Sequence, residues 1–288
     1  REENWLTAQF ALEYATQFHA LLPLLSRLGW PLPLGGTSNV FRRSALEQCG
    51  AWDPFNVTED ADLGFRLGRQ GWRAGLIEPG TLEEAPLTPR AWTNQRSRWL
   101  KGHFVTWLVH MREPRDLIDS LGWGGVFSLS FTVLANMLSA LVHAPTVLAM
   151  ALGATLLGLV PGWGALWTLG ALMMGFAYGA AMVCAITGAC RAGFRPTLSS
   201  VLSMPAYWLL QAPAALKALR ELPRHPYLWD KTQHGVSRAR RETPDDAADH
   251  PLAPARHRRP VRARRLAQRQ ALKSAQAASY SLDSAQHR

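Results

Sequence analysis

Three short stretches hold most of the residues able to do chemistry. Thr58-Glu59-Asp60 stands directly before a helical pattern, with Asp62 two residues further on. A carboxylate at a helix start is stabilised by exposed N–H groups and the helix dipole. On its reference pKa it is ionised at neutral pH and available as a base. Taken alone, the simpler use of Glu59 or Asp60 is to cap the helix. Gln95, Arg98 and Trp99 are spaced i, i+3, i+4 and on a helix share one face. A guanidinium and an amide donate to phosphate oxygens, and an indole is a flat apolar platform for a sugar ring. The competing use of that face is a tryptophan in lipid beside a solvated arginine. The third stretch is the turn Leu34-Gly35-Gly36-Thr37-Ser38-Asn39, where glycine permits close approach of the backbone to another group.

The elements that must position these groups follow from the spacing. Residues 5–28 read as a helix, apolar at Trp5, Phe10, Leu12, Phe18, Leu21 and Leu25, with Gly29 near its end. A short strand, Val40-Phe41, adjoins the glycine turn. Ser44 with Glu47 fits a capping box for a short helix, and Gly50 fits its stop. A turn at Trp52-Asp53-Pro54 precedes Thr58. A helix through Leu63 and Leu67 is stopped by Gly71, and 72–77 reads as a strand. Thr88-Pro89 is an N-cap followed by proline at the first helical position. That helix runs to Glu113-Pro114, about 36 Å at 1.5 Å per residue. Trp92, Trp99, Phe104, Trp107, Leu108 and Met111 lie along one face with arginines opposite. This predicts a helix lying along a membrane surface; the alternative is a core helix of a soluble domain.

Charge divides the chain. Residues 1–119 are nearly balanced, with 13 Lys+Arg against 14 Asp+Glu. Residues 120–216 carry two arginines and no other charge, and from Ser120 to Cys190 there is none. Overall, 18% of residues are charged, below the roughly 25% of soluble chains. A wholly cytosolic globular protein and a secreted disulfide scaffold are thereby excluded. Cys49, Cys184 and Cys190 have no metal-ligand spacing and read as buried small hydrophobes. A membrane span needs about 20 apolar residues. Residues 126–160 are apolar but broken at His143-Ala144-Pro145, 165–189 form one uninterrupted span, and 198–216 form a weaker one interrupted by Pro205 and Pro213. Tryptophans 123, 163, 167 and 208 stand near the ends of these runs, as interfacial tryptophans do. Four segments with an even number of crossings are expected. No intramembrane carboxylate exists to couple ion transport.

Residues 217–288 hold 16 basic and 7 acidic side chains. From about 231 the chain is rich in Arg, Ala, Pro and Gln and cannot bury a core, so disorder is expected. The simple reading is a solvated cytoplasmic tail whose charge enforces topology; binding anionic lipid is the alternative. Nucleic acid is not an expected partner, since aromatic interleaving and a recognisable binding fold are missing.

Together these features resemble the processive-type family-two glycosyltransferases, the membrane synthases related to cellulose and hyaluronan synthases. The resemblance rests on the Leu34–Asn39 turn, on Thr58-Glu59-Asp60-Ala61-Asp62-Leu63, on the QxxRW pattern Gln95-Arg96-Ser97-Arg98-Trp99, and on membrane segments after it. It extends over about residues 1–235, including Trp229-Asp230-Lys231-Thr232-Gln233-His234-Gly235. It implies Asp60 as the general base that deprotonates the acceptor hydroxyl, and Trp99 as the stacking platform for the acceptor sugar. It implies Gln95 and Arg98 on the nucleotide diphosphate or acceptor, and Glu59, Gly35, Gly36, Thr37 and Ser38 along the substrate. An in-line, inverting displacement needs one base, unlike the two-carboxylate hydrolases. The family also uses a divalent metal, Mg or Mn, held by carboxylates of a DxD motif. No DxD precedes residue 58, so the metal ligands are expected outside this chain, and the chain is expected to be the C-terminal part of a longer enzyme, inactive alone.

The resulting expectation is a partial α/β, GT-A-like domain at 1–119, a transmembrane region at 120–216, a membrane-proximal amphipathic segment at 217–235 and a disordered Arg-rich tail at 236–288. The partners implied are a nucleotide sugar, a glycan acceptor and membrane lipid. The location implied is a bacterial inner membrane, multi-pass, with the transferase domain and tail cytoplasmic. The alternatives are a non-processive transferase on a lipid-linked acceptor, and an inactive scaffold or transport subunit needing neither Asp60 nor Trp99.

Overall fold

The first helices follow the apolar spacing of the sequence in the computed structural model, which describes residues 3–77 and 81–229. α1 (Trp5–Thr16) opens on Asn4, whose side chain accepts from Thr7 N at 3.0 Å while Thr7 Oγ1 accepts from Asn4 N at 3.1 Å. It continues through a π-helical turn, Gln17–Leu21, into α2 (Leu22–Arg27), and the chain turns at Gly29 with φ 68°. This is the helix expected at 5–28, with Phe10, Leu12 and Leu25 buried. α3 (Arg43–Gln48) forms where expected, but Ser44 does not cap it: Arg42 stands at the cap with no side-chain bond. α4 (Glu59–Arg69) ends just before Gly71, whose φ is 79°.

The strands expected at 40–41 and 72–77 are absent, and no strand occurs among the described residues. A strand needs a neighbour to take its N–H and C=O groups, and none lies alongside these segments among the described residues. The extended chain at Pro31 and Leu32, just before the glycine turn, packs against α4. A β-carbon on Gly68 of α4 would stand 2.9 Å from Pro31 Cβ, and one on Gly64 would meet the Leu32 carbonyl.

α5 (Pro89–His110) starts as expected, with Thr88 Oγ1 accepting from Ala91 N at 3.2 Å. It is not a helix lying on a surface. Trp92, Gln95, Arg96, Ser97, Lys101 and His110 are all buried, so polar residues are enclosed on faces that a surface helix would give to water. Other elements supply partners for the ionisable ones, and α5 becomes the central helix. Leu6 and Phe10 of α1 share its apolar cluster.

α6 (Pro114–Leu129) kinks at Gly122, with φ 64° and ψ 173°. It passes through a π-helical turn, Ser130–Leu134, into α7 (Ala135–Ala154). The break expected at His143-Ala144-Pro145 does not occur, because Pro145 sits inside α7. Proline removes one backbone donor, a loss that membrane helices tolerate. α8 (Trp163–Arg191) matches the long span expected at 165–189 and is about 43 Å long at 1.5 Å per residue. The weaker run at 198–216 is three short helices: α9 (Leu198–Leu202), α10 (Met204–Leu209) and α11 (Gln211–Glu221). Two helical stretches among the described residues, Pro114–Ala154 and Trp163–Arg191, are therefore long and apolar enough to cross a membrane, in place of the expected four segments.

The most apolar stretch of α8 is almost wholly uncovered, with Leu166, Leu172, Met173 and Phe176 exposed. So large an apolar surface is untenable in water and suits lipid. Cys184 and Cys190 are exposed on this helix and not buried as expected, while Cys49 is half-buried. α8 is held to α1 through Leu12, Ala15, Ala185 and Ala189. The tail expected at 236–288 lies outside the described residues.

Candidate functional site

Asp60 occupies the first turn of α4, half-buried, with Oδ1 accepting from Ala61 N at 2.8 Å. Burial pushes its carboxyl up to about 6, and the neighbouring Glu59 charge adds to this. The Ala61 N–H and the Arg98 charge act against the shift. Two of the expected site regions thus converge: Arg98 of α5 lies within electrostatic reach of Asp60. The glycine turn converges too, since a β-carbon on Gly36 would stand 3.2 Å from Asp60 Oδ2. Glu59 is half-buried beside it.

The loop before α4 is fixed to α5. Asn56 Nδ2 donates to Thr106 Oγ1 at 2.7 Å, and Asn56 Oδ1 accepts from Thr58 N at 3.0 Å. Gly102 lets α5 touch Thr58: a β-carbon there would overlap the Thr58 hydroxyl and stand 2.7 Å from its Cγ2. Below Asp60, Asp62 does not face the same space. Its Oδ2 takes Arg66 Nε at 2.6 Å and its Oδ1 pairs with His110 Nε2 at 3.1 Å. Burial alone would raise its pKa, but the His110 hydrogen bond and the Arg66 charge hold it below the usual carboxylate range. Asp62 is thus a structural anchor.

Along the glycine turn, Ser38 adopts φ 59° and its hydroxyl lies 2.5 Å from Thr81 Oγ1. Asn39 Nδ2 donates to the Gly35 carbonyl. Thr37 is exposed. A line of aromatic rings joins this turn to Trp99. Phe18 lies 3.5 Å from the β-carbon position of Gly35, Tyr14 is 5.3 Å from Phe18, and Trp99 is 6.3 Å from Tyr14 between ring centroids. Burial, then the nearby Glu83 charge, pushes the Tyr14 phenol far up.

Gln95, Arg98 and Trp99 stand at i, i+3 and i+4 of one helix, but their surroundings differ. Gln95 is buried, and its Oε1 has no hydrogen-bond partner among the described residues. Arg98 stacks on Trp229 at 4.8 Å. Trp99 is half-buried, with the Arg96 guanidinium 4.7 Å from its ring centre. Arg96, to which the sequence assigns no role, is buried and forms a two-pronged pair with Glu13 at 2.6 and 2.7 Å. Tyr207 of α10 donates to Glu13 at 2.6 Å, and Trp92 donates to Tyr207 at 2.8 Å. Sequence reasoning missed this network; the available signal was a lone carboxylate, Glu13, inside an otherwise apolar helix.

Among the described residues no three His, Cys, Asp or Glu side chains stand together as metal ligands. Asp62 is committed to His110 and Arg66. The described residues do not fit a divalent ion.

The description "glycosyl transferase family group 2" matches residues 1–212. The chain belongs to that family. It is 38% identical over 110 residues, 38% of its length, to a beta-monoglucosyldiacylglycerol synthase of Trichormus variabilis, covering 23% of that protein. It is 35% identical over 91 residues to a probable glycosyltransferase of Bacillus subtilis, covering 29% of this chain and 22% of that one. It is 37% identical over 68 residues to a probable glucomannan 4-beta-mannosyltransferase of Oryza sativa, covering 23% and 12%. The chain thus spans less than a quarter of the length of these relatives. No solved structure matches it.

Proposed function

We propose that this chain supplies the acceptor side of a membrane glycosyltransferase that moves a sugar from a nucleotide donor to an acceptor hydroxyl. The observation that carries the reading is Asp60, with its carboxyl pushed up to about 6, set against Gly36 and within the field of Arg98. A base is most effective when its pKa is near the working pH. Asp60 takes the proton as the acceptor oxygen attacks the anomeric carbon. The bond from that carbon to the diphosphate oxygen breaks, and the diphosphate leaves with the electron pair. Attack opposite the leaving group inverts the anomeric centre. Arg98 and Gln95 offer donors to the diphosphate or acceptor, Trp99 a flat face to the sugar, and Glu59, Gly35, Gly36, Thr37 and Ser38 line the acceptor path. Metal ligands for the diphosphate would come from outside the described residues. The extended segments at 30–41 and 72–77 would belong to a GT-A-like α/β domain.

The membrane arrangement proposed is two crossings, by Pro114–Ala154 and Trp163–Arg191, in a bacterial inner membrane. Lys101, before the first, bonds Glu221, after the second, at 3.0 Å. That contact supports placing both ends of the membrane region on one side, with the basic tail cytoplasmic by the positive-inside tendency.

Extension of a polysaccharide, as in the cellulose- and hyaluronan-type synthases, is the first acceptor reading. A lipid acceptor is the second, favoured by the name of the beta-monoglucosyldiacylglycerol synthase relative. The test is Asp60→Asn in the full-length protein, assayed in membranes with UDP-glucose and GDP-mannose. Loss of the base should cut transfer about 10²–10⁴-fold at unchanged membrane insertion. Activity within a few-fold of the parent removes Asp60 from the mechanism.

A further inference from the structure

Lys101 lies two residues past Trp99 on α5, and its side chain is wholly buried. A buried ammonium is tolerated only when its donors are met. Lys101 has three donors and three acceptors: Glu221 Oε2 at 3.0 Å, the His225 carbonyl at 3.1 Å and the Leu228 carbonyl at 3.2 Å. All three lie after the second apolar helix. The charge needs only Glu221. The two carbonyls belong to the irregular chain that follows α11.

Among the described residues, only short-range backbone bonds and two aromatic contacts hold that chain besides. Tyr227, Leu228 and Trp229 are exposed. Its local bonds are Leu222 N to the Ala218 carbonyl at 3.0 Å, Arg224 N to the Glu221 carbonyl at 3.1 Å, His225 N to the Glu221 carbonyl at 2.7 Å and Leu228 N to the His225 carbonyl at 3.2 Å. Yet both of its aromatic contacts lead toward Asp60. Tyr227 packs on Phe55, three residues before Thr58, at 5.4 Å, and Trp229 lies 4.8 Å from the Arg98 guanidinium. Arg98 in turn acts on the Asp60 carboxyl.

We infer that Lys101 is a positioning residue: its ammonium fixes residues 225–228 so that Trp229 rests on Arg98 beside Asp60. The inference rests on the transferase reading for its activity arm alone. Lys101 touches no substrate. It acts through the strap it holds, and the strap acts through Arg98.

The experiment uses the full-length protein in membranes. Lys101→Met keeps the apolar stem and removes the ammonium. Trypsin cleavage after Arg224, followed by mass spectrometry of the peptide ending there, reads release of the strap, since cleavage requires local opening. Cleavage should be at least tenfold faster in Lys101→Met than in the parent, and kcat should fall at least tenfold with KM for the nucleotide sugar within threefold. Trp229→Ala should lower kcat alike without accelerating the cleavage. The double variant should be no worse than the poorer single one, since residues acting through one contact are not additive. Unchanged cleavage at Arg224, or additive losses in the double variant, overturns the inference. If Lys101→Met fails to insert, Glu221→Gln takes its place with the same expectations and the same overturning results. If the parent transfers no sugar, the transferase reading fails, and the cleavage arm still decides whether Lys101 holds the strap.

Discussion

Gly36 and Asp60 are in contact across the candidate site: a β-carbon on Gly36 would stand 3.2 Å from Asp60 Oδ2. The glycine turn therefore forms one wall of the space in which the carboxylate works. Burial is the largest cause of the raised Asp60 pKa.

Two consequences follow for pH. As a base, Asp60 must be ionised, so transfer per enzyme should fall as pH drops through about 6. For stability the sign is opposite. Its pKa is 3.8 as the reference value and about 6 in the fold, so between these values the folded state holds more protons than the unfolded one. The protonated group is favoured in the fold, and this contribution is lost as pH rises from 3.8 through about 6. Asp60→Asn should thus raise the thermal midpoint at pH 7.5 while removing transfer. A midpoint lowered at pH 7.5, or a pH–rate profile flat between 5 and 7, would count against the buried base.

Gly102 is the corresponding contact between α5 and the loop before α4. In Gly102→Ala the new methyl would fall on the Thr58 side chain. Overpacking of this kind costs about 1–3 kcal/mol, relieved here by moving α5 from the Asn56–Thr58 turn. Transfer should drop about tenfold or more although Gly102 meets no substrate, and Thr58→Ala in the same chain should restore part of it. Measured turnover equal to the parent would mean that the two elements need not touch.

The sequence made the helices near the site legible because local signals end them: Thr88-Pro89 opens α5, and Gly29 and Gly71 take positive φ just past α2 and α4. It also marked Asp60, because a carboxylate at a helix start is a local pattern. What it hid was set by distant partners. The burial of Arg96 was not legible because Glu13 and Tyr207, which allow it, lie 83 residues upstream and 111 downstream of it. α5 read as a surface helix for the same reason. The break at Pro145 was an error of another kind, since lipid and neighbouring helices permit a proline that water would not. The strands at 40–41 and 72–77 failed because a strand is defined by its neighbour.

The Arg96–Glu13 pair should be asymmetric under mutation. Arg96 is enclosed by Phe10, Trp92 and Trp99, whose rings lie 5.8, 5.2 and 4.7 Å away, whereas about a third of the Glu13 side chain is accessible. Glu13→Ala leaves an enclosed guanidinium without its counter-charge, a change that costs about 3–5 kcal/mol. Arg96→Met leaves a carboxylate that still reaches water and accepts from Tyr207. Thermal midpoints in detergent should therefore rank the parent above Arg96→Met and Arg96→Met above Glu13→Ala. The reverse order would place the stabilising role on Glu13 and its solvent side.

Trp99 has two possible duties, and the structure sharpens the comparison between them. One is packing: Trp99 touches the Phe10–Tyr14 ring pair at 6.4 and 6.3 Å and lies beside Arg96. The other is to offer a flat face to the acceptor sugar. Phenylalanine keeps most of the apolar area and part of the cation–π contact, so Trp99→Phe should insert at near-parental levels. If the ring serves the sugar, its extent matters, and Trp99→Phe should restore transfer only in part, while Trp99→Ala should impair transfer far more than it lowers inserted protein. The measurement is product formed per unit of membrane-inserted enzyme, alongside donor hydrolysis without acceptor. A sugar platform predicts that hydrolysis survives Trp99→Ala better than transfer does, because water needs no stacking surface. If transfer and hydrolysis fall together, and only in proportion to protein level, Trp99 belongs to the packing around Arg96 and not to the acceptor.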